Sequence, residues 1–147
     1  MTTQAKVNYF AVLVTAVAAL VQGAVWYSPL LFAHEWMTLR GIHPGALADM
    51  TPPPGALIAE FVRCLVVAFA LAHLVTRLGV VRWTGALQLG ALLWIGFQAM
   101  AIAGSVIHEN YPGKLYAIHA GDALAKTSLM TVMLGVWLGK LRPSSMG

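Results

Sequence analysis

Glu60 and Arg63 interrupt one long apolar run, and Asp122 and Lys126 interrupt another. In each pair a base follows an acid by three or four positions, the spacing that puts two side chains on one face of a helix. His119 lies on the same stripe as Asp122. On insertion scales, Asp, Lys or Arg near the centre of a membrane helix costs about 2.5–3.5 kcal/mol each. A chain that keeps such groups must turn them toward one another or put them to use. Glu60 and Asp122 have the chemistry to carry protons or bind cations. Arg63 and Lys126 have the chemistry to hold an anionic group.

The elements that would position these residues are apolar helices. The chain has 147 residues, 59% hydrophobic and only 10% charged, against about 25% charged in soluble domains. Its mean hydropathy is +0.76. It lacks the polar surface to dissolve, and its length fits one domain over residues 1–147. The pI near 9.6 does not indicate nucleic acid. The basic residues form no patch; they punctuate the ends of apolar runs, where they orient a membrane protein. A single cysteine, Cys64, excludes an intrachain disulfide and a CxxC pair, and inside an apolar run it reads as packing.

A membrane-crossing helix needs roughly 20 apolar residues. Four runs meet that length: Val7–Tyr27, Ala56–Val75, Trp83–Ile107 and Leu115–Leu138. The first is longer than the apolar region of a signal peptide and reads as a span. The expected fold is all-α, an integral membrane bundle of four transmembrane helices. With four spans both termini and the second loop share a side, which holds Lys6, Arg77, Arg82, Lys140 and Arg142. The positive-inside rule places that side in the cytoplasm, with the chain integral to the cell (inner) membrane. The outward loops then collect His34, Glu35, His43, Asp49, His108 and Glu109.

In that frame, Trp26 and Tyr27 fall at the outer interface, where aromatic belts sit. Ser28 is a suitable N-cap, Pro29 is tolerated in a first turn, and Gly41 can end a helix. The spacing predicts a short amphipathic helix over Pro29–Arg40, with His34, Glu35 and Thr38 on one side and Phe32, Trp36, Met37 and Leu39 on the other. It reads as a surface helix at the membrane exit, or as a gate built from Trp26, Tyr27, Pro29 and Trp36. The three prolines that follow favour a stiff approach to the second span.

The depths of the polar residues agree. Glu60, Arg63, Asp122 and Lys126 fall in the outer half of their spans, and Gln22 and Gln98 reach the same level from the other two. The formal charges balance. These groups are expected to converge inside the bundle or at a subunit contact. Two readings stay open: an outward-facing polar site for a small solute or ion, and an ion-pair network that only fixes helix register. Small residues at four-residue spacing (Ala11, Thr15, Ala19, Gly23) and the Gly135–Gly139 pair let helices approach closely, within the chain or between subunits of a homo-oligomer.

Other chemistries find less footing. His34, His108, His119 and Asp122 are ligand types that suit a metal, but neither His-Glu pair continues into HExxH. Haem would need His73 and His119, which sit at opposite depths and cannot share one iron. No cofactor is therefore expected. Ser28, Ser105 and Ser128 lack any context for activation, so an enzyme is not the expectation.

Three stretches carry a resemblance: WYSPLLFAHEWM after the first span, LGALLWIGF in the third, and KLYAIHAGDALAKTSLMTVMLGVWLG through the fourth. In these the chain resembles a bacterial family of small four-helix membrane proteins catalogued as a domain of unknown function, with WYSPLLF as the signature. The resemblance implies an integral membrane protein of four helices and no particular reaction. The chain departs from that pattern at His119, Asp122, Glu60 and Arg63. From the residues, the expected function is binding or moving a small polar solute or ion at Gln22, Glu60, Arg63, Gln98, His119, Asp122 and Lys126. The alternative is a structural or assembly protein whose charged layer holds an oligomer together. The expected surroundings are membrane lipid and further copies of the chain, not nucleic acid.

Overall fold

A computed structural model describes residues 6–43, 45–46 and 51–141. Asp49 and Arg142, assigned above to the outer loop and the cytoplasmic end, lie outside the described residues. The described elements are helical: α1 (Tyr9–Trp26), α2 (Ala33–Leu39), α3 (Pro54–Leu78), α4 (Trp83–Glu109) and α5 (Gly113–Leu141). Within α4, residues Trp94–Ala99 widen into a π-helical turn.

The boundaries follow from capping. Asn8 starts α1, its side chain accepting from the Ala11 N–H at 3.1 Å. Proline at the first positions starts α3, where its missing N–H costs nothing. Gly79 (φ 65°) and Asn110 (φ 52°) end α3 and α4 in the left-handed conformation that closes a helix and allows a tight turn.

Two expectations are corrected. Among the described residues only α1, α3 and α4 are long and apolar enough to cross a membrane; α5 is not the fourth such span, because Lys114, His119, Asp122, Lys126 and Lys140 dilute its apolar content. The interfacial helix does not begin at Pro29. Ser28 turns back instead, its hydroxyl donating to the Val25 carbonyl at 2.7 Å, and four residues of turn precede Ala33.

α5 is the centre of the molecule. It packs against α1, α2, α3 and α4, whereas α4 packs on α5 without a comparable face on α1 or α3. α4 and α5 run antiparallel, as the close pairs Ala99–Tyr116, Trp94–Ala120, Gly90–Thr131 and Ala86–Gly135 show by their opposite order. The apolar core lies between α1, α3 and the second half of α5, with Ala16, Ala19, Cys64, Ala68, Val75 and Met130 buried. The outward faces carry Leu57, Val66, Leu92, Phe97 and Ile107, large apolar side chains of a kind that lipid accommodates.

Small residues set the close approaches, and they do so within the chain. A Cβ on Gly139 would lie 2.6 Å from the Val81 carbonyl oxygen, and one on Gly135 3.0 Å from Ala86 Cβ. The Gly135–Gly139 face is thus occupied by the α3–α4 turn and the start of α4. On α1, Ala11, Thr15 and Ala19 are buried in the bundle.

Candidate functional site

Helix direction brings the end of α1 and the starts of α3 and α5 to one end of the bundle, and the polar residues lie about one to four turns in. There they form one bonded chain across three helices. Gln22 of α1 donates through Nε2 to Asp122 Oδ1 of α5 at 3.2 Å. Lys126, one turn further along α5, places Nζ 3.4 Å from Asp122 Oδ2 and 3.3 Å from Glu60 Oε1 of α3. Arg63 completes the chain with two donations to Glu60, 2.8 Å from Nε and 2.6 Å from Nη2. This fork-to-carboxylate geometry is the strongest form of such a pair. Lys126 fits because α1 presents glycine opposite it: a Cβ on Gly23 would lie 3.1 Å from Nζ.

Burial falls along the chain. The Lys126 and Asp122 side chains are 10% and 11% exposed, Glu60 35% and Arg63 59%. Val62 and Val66, exposed beside Arg63, make that flank apolar. Two acids and two bases give the layer no net charge, and each charge has a partner in the same chain. The Gln22 Oε1 atom is buried without a partner.

The remaining sequence candidates divide around this layer. His119 sits above it: its Nδ1 is 2.8 Å from the Tyr27 hydroxyl, and Tyr27 and Tyr111 flank its ring at 5.8 and 6.0 Å between centroids. Gln98 does not join the layer. It accepts from Thr127 Oγ1 at 2.8 Å, on the α4 side of α5. Thr127 was not among the sequence candidates; only the rotation of α5 against the π turn of α4 brings it to Gln98.

Trp26 turns into the bundle rather than lying in an outer belt. Its Nε1 donates to the Ile118 carbonyl at 3.1 Å, and its ring covers Gly121, where a Cβ would be 2.9 Å away. Trp94 makes the matching bond from α4, donating to the Ala120 carbonyl at 2.8 Å. Pro29 is exposed. Trp36 of α2 packs edge-on against Tyr27 at 6.1 Å, with the Arg40 guanidinium 5.4 Å from its own ring. α2 is tied to α5 by the exposed Glu35–Lys114 pair at 3.1 Å.

Among the described residues no three His, Cys, Asp or Glu side chains group as metal ligands, so His34, His108, His119 and Asp122 are not brought together as such a set. His73 Nδ1 bonds the Phe69 carbonyl oxygen one turn back in its own helix, at 2.9 Å. A cavity of about 20 Å³ lies at the opposite end of the bundle, among Asn8, Thr76, Trp137 and Leu138.

Fold and site together define a small all-helical protein with three helices apolar enough to cross a membrane and a charged layer around a central fourth long helix. The chain belongs to the family described as "Protein of unknown function (DUF1761)", whose model matches residues 10–135. Searches of curated proteins and of solved structures found no match.

Proposed function

We propose that the protein is an integral membrane protein whose layer Gln22–Asp122–Lys126–Glu60–Arg63 binds a small polar solute or ion. In this reading α5 crosses the bilayer too, shielded by α1, α3 and α4 rather than by its own apolarity, and both termini face the cytoplasm. The observation that carries the reading is the layer itself. Three helices contribute to one bonded set, and its centre, Asp122 and Lys126, is nearly shut off from the surroundings. Burying charge pairs is a poor way to gain stability, since apolar residues of the same volume commonly do as well. Ionisable groups at membrane depth are by default groups with work to do. A solute carrying both signs, or an ion exchanging with Lys126, would find carboxylates and a guanidinium already facing one another.

A thermal-unfolding panel tests this. The purified protein in mild detergent is titrated with simple salts, small carboxylates, amines and amino acids. One class raises the wild-type Tm, by the linkage between binding and folding, and leaves Asp122→Asn and Glu60→Gln unshifted although both still unfold cooperatively. Equal shifts in the variants, or no shift in the wild type, overturn the reading.

One observation favours a second reading, a purely structural layer: every charge in it is already paired within the chain. On that reading neutralising Lys126 destabilises the bundle and no solute changes Tm in any form of the protein.

A further inference from the structure

The polar groups do not end at Asp122. One turn toward the near end of the bundle, His119 lies on the same α5 stripe, at the three-residue spacing that leaves side chains neighbours. Its Nδ1 is held by the Tyr27 hydroxyl at 2.8 Å, and Tyr27 follows directly on α1, the helix that supplies Gln22 to Asp122. The ring is half-buried, between the exposed residues 112–114 and Asp122, which is 8% exposed. Trp36 Nε1, a buried donor without a protein partner, belongs to the same cluster through its contact with Tyr27. The layer's other flank, at Arg63, opens among Val62 and Val66. On the membrane reading proposed above, that flank meets lipid, across which a proton has no water to travel. On the other side of Asp122, His119 is the next titratable side chain along α5, toward the exposed residues 112–114.

We propose that Tyr27 and His119 form a proton relay that connects the aqueous end of the bundle to Asp122, so that protons are an ion the layer exchanges. This rests on the polar-site reading for its setting but not for its test. The net step moves one proton from ring to carboxylate through one water, since the ring nitrogens stand more than 4.0 Å from the Asp122 oxygens. Imidazolium His119 gives its Nε2 proton to that water, which gives a proton to the Asp122 carboxylate; an N–H bond breaks, an O–H bond forms on the carboxylate, the water is restored, and the ring is left neutral to be reprotonated from the aqueous end. Tyr27 is a positioning residue. By accepting from Nδ1–H in both the charged and the neutral ring, its hydroxyl leaves Nε2 as the exchanging nitrogen.

The groups that bear on His119 come from every side. Tyr27 follows α1, Arg40 ends α2, Tyr111 lies in the α4–α5 turn, and Asp122 and Lys126 share α5. Glu60 and Arg63 of α3 act through Lys126. α4 places no charged side chain in the bonds of the layer among the described residues.

The test is infrared difference spectroscopy of the full chain in lipid vesicles after a pH jump. The carboxylic-acid band of Asp122 is assigned by its loss in Asp122→Asn. In His119→Gln the band reaches the wild-type amplitude about a hundredfold more slowly. In Tyr27→Phe it is slowed less, because the ring remains but is no longer held. An unchanged rate in either variant, or a wild type in which Asp122 gains no proton, overturns the relay. If His119→Gln fails to fold, the Tyr27→Phe rate decides alone. An unchanged rate beside a solute-dependent Tm shift removes the relay and leaves the polar site. A slowed rate with no solute-dependent shift removes the site as a solute pocket and leaves the relay.

Discussion

Lys126 is held by two carboxylates from two helices, and that determines what its removal does. Lys126→Met leaves Asp122 with Gln22 alone and Glu60 with Arg63 and the Cys64 thiol. Breaking a buried pair in this way costs about 3–5 kcal/mol, mostly because a carboxylate is left under-compensated. Glu60→Gln costs less, since Glu60 is 35% exposed. Because the two residues share a bond, the double variant should be more stable than the sum of the singles implies, by about 1–2 kcal/mol. Denaturant unfolding in detergent measures this cycle; additivity within about 0.5 kcal/mol would contradict the Lys126–Glu60 bond. The sequence showed these residues and their common depth, because charge in an apolar run stands out and helical spacing fixes its face. It did not show which partners they take. Gln98 pairs with Thr127 and Trp26 turns inward because of how α4 and α1 are rotated against α5. A single chain's residue types do not encode that rotation directly.

At the scale of elements, the apolar runs located the long helices among the described residues, while the helix bounds differ from the limits of the apolar runs. α3 starts at Pro54 rather than Ala56, and α5 runs from Gly113 to Leu141. The π turn of α4 had no signal in the sequence: Trp94–Ala99 contains no proline, and its one glycine, Gly96, has nothing within 4 Å of a built Cβ. The interfacial helix was overextended because Ser28 has two capping roles open to it, and it closes α1 instead of opening α2. The glycine pair on α5 was legible as a close-approach face, but its partner was not. That partner is the α3–α4 turn, so Gly139→Ala should destabilise the monomer itself by about 1–3 kcal/mol through overpacking against Val81. Gly104→Ala, with open space around it, should instead stabilise α4 by up to about 1 kcal/mol. Thermal unfolding of the two variants checks this, and an equal response would mean that the Gly139 face is not packed as described.

For the whole molecule, the polar content of α5 and its central position have a common cause. A helix surrounded by α1, α3 and α4 needs little apolarity of its own and can carry the buried pair Asp122 and Lys126 at lower cost than a helix facing lipid. This is why three helices qualify as membrane spans by composition while four long helices form the bundle. Whether the charged layer sits within the membrane depends on α5 crossing it, and labelling single cysteines from each side of sealed vesicles measures that directly. In a Cys64→Ala background, cysteines replace Lys6, before α1, and Lys140, at the far end of α5. Four crossings put both on one face, so an impermeant thiol reagent should label the two from the same side. Labelling of position 140 only from the side opposite position 6 would mean that α5 does not cross, and the layer would then not lie within the bilayer.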